Sequence, residues 1–245
     1  MYKLMVMSAA YRQSAKSSAQ QLAKDPKNLL LSHGPRFRMD AEMLRDIALQ
    51  SSGLLVEKVG GPSVKPHQPT NIWEEVSYPS SDTVHYVQEH GDALYRRSMY
   101  TYVKRMASSP SMDAFDAPMR DVVCTRRQRT DTPLQALVTM NDVQWVVAAR
   151  ALAQRVIHEA GPNPQQRVNR MSEILLAHDP PASMAAALET SLQQLQSHYE
   201  KDPKAAHALM GMGEKKRDVS IPEPELAAWT MVASEILNLD ETINK

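Results

Sequence analysis

The sequence has a single cysteine, Cys124, so no disulfide can form within one chain. It has no CxxCH run, which excludes c-type haem attachment in this segment and leaves no cofactor to expect here. Phenylalanine occurs only twice, while methionine occurs fifteen times and tryptophan three times. Leu, Val, Ala and Met must therefore fill the core, with the tryptophans as anchors; flexible methionine favours packed helices over a rigid sandwich of sheets. Formal charge is zero, from 28 Lys and Arg against 28 Asp and Glu, so no global field directs the chain to nucleic acid or an acidic membrane surface. No apolar run approaches the ~20 residues that span a bilayer. The GxSxG elbow of serine hydrolases is missing. Gly60-Gly61-Pro62-Ser63 lacks the GK[ST] that would make it a phosphate loop.

Metal-ligand spacing is absent as well. His85 and His90 flank Glu89 in HYVQEH, one residue longer than the inverted zinc-protease motif. On a helix that spacing turns the two imidazoles ~140° apart, which spoils joint ligation. The histidines at 33, 67, 158, 178, 198 and 207 have no ligand spacing either, so no metal site is expected. The opening MYKLMVMSAAYRQSA is no signal peptide: one positive charge precedes an apolar core at the low edge of the ~7–15 residues expected. It reads as the tail of an interrupted helix.

What the chain does hold is concentrated in Met112–Asn141, MDAFDAPMRDVVCTRRQRTDTPLQALVTMN. An acidic-aromatic turn leads to Arg120, Cys124, Arg126, Arg127 and Arg129, and then to a helix. Thr132 is placed as its N-cap, Pro133 suits the first helical position, and Gln135 stands three residues after the cap. Between Arg96 and Arg129 the chain carries eight Lys and Arg against three Asp, a local positive field in a neutral protein. Guanidinium groups grip carboxylates, sulfates and phosphates bidentately. These arginines either pair with Asp40, Glu42, Asp46, Asp113 and Asp116 to hold loops together or line an anionic or sugar-binding cleft. The candidate binding set is Asp116, Arg120, Arg126, Arg127 and Asp131, with Arg96 and Arg97. Thr132, Gln135 and Asn141 are assigned structural polar roles. Cys124 lies in an electropositive setting of the kind that activates thiols, yet no histidine is marked as its partner.

Taken in order, residues 2–23 read as helical. Asp40 begins a helix over Ala41–Ser51, with Met43, Leu44, Ile47 and Ala48 on its apolar side and Gly53 as its stop. Glu42, Arg45 and Asp46 lie within side-chain reach on the other side. They form a charged wall, either solvated and ion-paired or facing the arginine run. From Val59 to Ser81, Pro62, Pro66, Pro69 and Pro79 forbid a regular helix or central strand. Trp73 and Tyr78 suit a packed loop that covers the fold or walls a cleft. Tyr95–Arg105 reads as helix or strand. A central helix is expected from Pro133 to Glu159 on the stripe Leu134, Leu137, Val138, Trp145, Ala148, Leu152 and Val156. Asn141 falls on that stripe and is expected to tie a neighbouring loop to it. Further helices read over 165–178, 182–200, 203–210 and 226–238. The expectation is a mainly α, irregular helical fold with long Pro-rich loops. Its single domain, 1–245, comprises N-terminal helices (1–58), a loop-rich, arginine-rich region (59–131) and a C-terminal helical region (132–245).

FDAPMR followed by CTRRQRTDTPLQALVTMND resembles the signature of the domain of unknown function 1553 family, common in planctomycetes. FRMDAEMLRDIAL, SGLL, GGPSVKPHQP, LYRRSMYTYVKR and AAWTMVASEILNLDE extend the likeness over nearly the whole chain. Asp131 stands where Asn is usual, His67 where an aromatic is usual, and Met39 where Leu is usual. The resemblance implies a periplasmic or extracellular protein, often with a cytochrome-like domain on the same chain. It also implies a long stretch ahead of YRQSA, so this chain is expected to be the C-terminal portion of the domain, truncated at its amino side. It implies no reaction. Two functions stay open. One is a non-catalytic module binding an anionic polysaccharide or a neighbouring cytochrome-like domain. The other is a polysaccharide-active enzyme, hydrolytic or redox-linked, that grips sulfate or uronate with arginines and uses Asp113/Asp116 or Asp40/Glu42 as acid and base.

Overall fold

The computed structural model describes residues 1–245 and is mainly α: 51% of it is helical and it has no sheet. The helices are α1 Tyr2–Val6, α2 Ala19–Lys24, α3 Ala41–Ser51, α4 Ile72–Val76, α5 Pro110–Asp113 and α6 Pro133–Asn141. They continue with α7 Val143–Ala160, α8 Pro164–Leu176, α9 Ala182–Lys201, α10 Pro203–Met210, α11 Glu223–Leu237 and α12 Asp240–Ile243. The chain divides into two compact units, residues 1–39 with 244–245, and residues 40–243.

The first unit departs from the single helix expected over 2–23. Its helical turns are α1 and α2 alone, because Ser18 starts a helix of its own. The Ser18 hydroxyl accepts from Gln21 N, and the Gln21 side chain accepts from Ser18 N, a reciprocal capping box. Beyond α2 the Asp25 carboxylate accepts from Leu29 N and Leu30 N at 2.8 and 2.7 Å. Phe37 and Lys245 exchange two backbone hydrogen bonds, 2.7 and 3.0 Å.

In the second unit α7 and α11 form the centre. The two helices pack on each other, and both bury several alanines, Ala148, Ala149 and Ala153 on α7 and Ala227, Ala228 and Ala233 on α11. Leu152, Val156, Leu226, Trp229 and Ile236 supply the larger buried apolar area. Helices α8, α9 and α10 pack around α11, and α3 packs on α7. The central helix is not continuous. Asp142 is extended (φ −64°, ψ 133°) and caps α7 by accepting from Gln144 N at 2.8 Å, so the apolar stripe is cut. Leu134 and Leu137 consequently stay 57% exposed on α6, while Trp145, Ala148, Leu152 and Val156 are buried on α7.

Buried arginines hold the long loops. Arg45, only 5% exposed, donates to Leu94 O, Arg96 O, Ser98 Oγ and Gln144 Oε1. Arg96 donates to Lys58 O, Gly60 O and Pro62 O and stacks 3.9 Å from the Tyr100 ring centre. Arg150 donates to Met210 O, Met212 O and Lys215 O. Irregular backbone leaves buried carbonyls without ladder partners, and the five donors of a guanidinium can serve several at once. Arg45 therefore leaves the solvated wall expected of it, while Met43, placed on the apolar side, is 51% exposed. The Pro-rich stretch is packed but not wholly irregular, because the proline-free run between Pro69 and Pro79 forms the single helical turn α4: Trp73 in it is 1% exposed, meets Tyr86 edge-on at 4.9 Å and has Lys104 Nζ 4.8 Å from its ring centre. Residues 91–105 are neither regular helix nor strand. They form 3-10 turns at Gly91–Tyr95 and Ser98–Tyr100, joined to the Pro-rich loop by isolated bridges at Val56–Arg96 and Val64–Thr101.

Candidate functional site: an arginine-loop concavity

The loop from Ala117 to Asp131 has no regular structure, and its ends are pinned by side chains. Asp116 sits at φ +56°, a left-handed conformation that short Asp tolerates better than most residues. Its carboxylate accepts from Thr130 N at 2.8 Å and from Thr130 Oγ1 at 3.0 Å, closing the loop on itself. Buried Gln135 then donates from Nε2 to Thr130 O at 3.0 Å, which ties the closed loop to α6. Gln135 thus has a structural polar role, but toward the loop rather than in a capping box. Thr132 is the residue at the N-cap, yet its side chain makes no capping bond. Asn141 is exposed and donates to Leu137 O of its own helix, so it ties no loop.

Within this loop Arg127 forks onto Glu42, Nη1 to Oε2 at 2.5 Å and Nη2 to Oε1 at 3.1 Å, with Asp40 3.6 Å away. Half-burial of Glu42 works against its charged form. The Arg127 bonds outweigh that and hold its carboxyl below the ordinary value, while the same bonds raise Arg127. Arg129 reaches Asp40 at 3.9 Å. The charged wall of α3 therefore does meet the arginine run, through Glu42 here and through Asp46, which lies 3.6 Å from Arg97 and accepts from Ser98 N at 2.7 Å.

The loop encloses an open concavity of about 740 Å³, lined by Asp40, Cys124, Arg126, Arg127, Gln128 and Arg129, among others. Arg126 is exposed within it and makes no hydrogen bond or ion pair. Of the candidate set, Arg126 and Arg127 line this space, and Asp116 closes the loop that forms it. Arg120, at φ +61°, lines a neighbouring cleft with Glu42. Asp131 is exposed and outside the lining, Arg97 is with Asp46, and Arg96 has Nη1 and Nη2 on loop carbonyls.

Chemically the concavity offers guanidinium donors and no assembled acid–base pair. Asp113 accepts from Ser108 Oγ at 2.5 Å, and Asp116 is engaged by Thr130. Cys124 is exposed in the lining with no histidine beside it there. No three His, Cys, Asp or Glu side chains converge as a metal site would need. Sequence reasoning passed over the hydroxyls of Ser98, Thr101, Ser108 and Ser109, which share the Arg120 cleft. The signal available was their density between residues 98 and 111. No helix is long and apolar enough to cross a membrane.

Among known proteins, no curated protein and no solved structure matches the chain. The family described as "Protein of unknown function (DUF1553)" matches it over residues 1–192. With most of its 245 residues covered by that match, the chain belongs to the DUF1553 family.

Proposed function

We propose that this protein is a non-catalytic binding module whose arginine loop takes the acid group, sulfate or carboxylate, of an anionic polysaccharide. The observation that carries the reading is Arg126, an unpaired guanidinium in an open concavity whose neighbours Arg127 and Arg129 already face Glu42 and Asp40. Those carboxylates fix two arginines and cancel their charge, leaving one open fork for a planar or tetrahedral anion. A single open cation in the concavity of a neutral protein fits a repeated acidic sugar better than a nucleic acid backbone, which rewards many phosphate contacts. Such a module fits an exported chain, periplasmic or extracellular, that carries a cytochrome-like domain, which would be the other candidate partner. The enzymatic reading is weaker: both Asp113 and Asp116 are committed to loop hydroxyls and amides, and Cys124 lacks a base.

The test is binding of the whole chain to sulfated, uronate and neutral polysaccharides at low and high salt. Binding of the charged polymers that weakens with salt, and falls about tenfold in Arg126→Ala, is expected for the loss of one charge-assisted hydrogen-bonded contact. Arg126→Lys should keep part of it. Equal binding of neutral and sulfated polymers, or none by the folded chain, would overturn the reading.

A further inference from the structure

Residues 1–39 differ from the rest of the chain in charge and in surface. They hold seven Lys and Arg against Asp25 alone, so the formal zero of the whole chain conceals a net +6 here and a net −6 over residues 40–245. Asp25 is buried, whereas Lys3, Arg12, Lys16, Lys24 and Lys27 are exposed, which leaves no anionic side chain at the surface of this segment. The same segment carries twelve of the twenty-seven exposed large apolar side chains. Exposed apolar residues scattered singly are ordinary, but a concentration of them beside charge of one sign marks a surface that something covers.

Three of these side chains sit on a built loop. Leu29, Leu30 and Leu31 are 78%, 78% and 68% exposed. Behind them the buried Asp25 carboxylate accepts from Leu29 N and Leu30 N. The Asn28 amide donates to His33 O at 2.7 Å, and Gln13 Nε2 donates to Leu31 O at 3.0 Å. Leu31 takes φ +53°, a conformation that a leucine adopts only when its surroundings impose it. The loop thus satisfies its backbone from inside and holds three leucines outward, with Lys27 just before them and Lys24 at the end of α2.

Charge and apolarity together select the occupant. A nucleic acid would meet the cations but gain nothing from projecting leucines. A protein partner, including the acidic remainder of a second copy, needs a hollow shaped to receive them. A bilayer needs none, because the acyl boundary accepts apolar side chains in any arrangement while anionic headgroups attract the flanking lysines.

We propose that residues 1–39 dock this protein on the surface of an anionic lipid bilayer. Leu29, Leu30 and Leu31 enter the boundary between headgroups and acyl chains, and Lys24 and Lys27 lie among the headgroups. No residue of the arginine loop takes part, so this docking stands or falls separately from the polysaccharide reading.

The experiment is co-sedimentation of the whole chain with vesicles of phosphatidylcholine alone and of equal parts phosphatidylcholine and phosphatidylglycerol, at low and high salt. Binding to the anionic vesicles is expected, weakened by salt, with little to the neutral ones. Lys24→Gln and Lys27→Gln should each lower it about fivefold. Leu29→Ser combined with Leu30→Ser should lower it by about tenfold or more. Both leucines are exposed, so that variant should melt at the same temperature as the parent, and Arg126→Ala should bind vesicles normally. Equal binding of both vesicle types, or none by the folded chain, overturns the proposal. Undiminished binding by the leucine variant also overturns it, since the contact would then be electrostatic only. So does self-association that the leucine variant abolishes in a chain that ignores vesicles, which would make a second copy the occupant.

Discussion

A single guanidinium shows how residue chemistry decides this fold. Arg45 stands on α3 beside Glu42 and Asp46, and helical spacing alone assigns all three to a charged wall. The structure keeps Glu42 and Asp46 for the arginine run and turns Arg45 inward, where loop carbonyls from Leu94 and Arg96 need donors. Burial pushes its pKa down to about 10, with Asp46 and Asp142 opposing, so it stays charged at neutral pH. Replacing it by Met keeps volume but strands those two carbonyls and the Gln144 amide oxygen. A loss of about 2–4 kcal/mol in urea unfolding is expected, and Arg45→Lys should recover little because one ammonium cannot span the set. A loss below about 0.5 kcal/mol would show that water serves these carbonyls instead. None of this was legible in sequence, because which carbonyls lack partners depends on how distant loops fold.

Helices with strong local signals were legible. Ala41–Ser51 follows Asp40 and ends at Gly53, which takes φ +75°, and the breaks before α8, α9 and α10 coincide with Pro164, Pro180-Pro181 and Pro203. The cut at Asp142 was hidden because the apolar period runs on across it, although Asp is itself a good cap. Only half of the site could be read: the arginines are dense, whereas the Asp116–Thr130–Gln135 closure joins residues through a turn that no period announces. The segment between α10 and α11 is dense in charge, and with Glu223 at the start of α11 its carboxylates have specific partners. Glu214 meets His90 at 2.7 Å and Gly91 N at 2.8 Å; Asp218 meets His158 at 2.8 Å; Glu223 meets His207 at 3.2 Å and Arg217 at 2.7 Å. The backbone amide of Gly91 and His90 lower Glu214, His207 and Arg217 lower Glu223, and the bonds from Ser220 and His158 bring Asp218 down to about 2. Groups with depressed folded pKa values contribute stability that is present above the ordinary carboxylate range and is lost as pH falls through the depressed values. The loop should hold its position through the ordinary carboxylate range and loosen only as pH falls below it, with the Asp218 contact lasting to about pH 2. Side-chain NMR titration of the three carboxyls reads this directly; ordinary midpoints for all three would mean that the pairs are not formed in solution. His90→Ala should bring Glu214 back toward its ordinary value and leave Asp218 where it is.

Across the whole molecule, burial is distributed very unevenly. Residues 1–39 contribute Asp25, Gly34, Arg38 and Met39 to the buried set, and α1 and α2 have no buried residue at all. Helices α7 and α11, by contrast, bury ten residues each, including Leu152, Val156, Leu226 and Trp229. Opening free energy follows buried apolar contact and protected backbone, so the two units should not open together. Hydrogen exchange read by mass spectrometry is expected to show amides of α1 and α2 exchanging within the earliest time points. Amides in the interiors of α7 and α11 should exchange last, at a common rate set by global unfolding. Ala148 on α7 is 1% exposed, so Ala148→Leu should overpack the core around it and cost about 1–3 kcal/mol. That variant should accelerate exchange in α7 and α11 together while leaving α1 and α2 at their already fast rate. Slowed or equal exchange in α1 and α2 relative to α7 would contradict the uneven core; acceleration confined to α7 would show that the two central helices do not unfold as one unit.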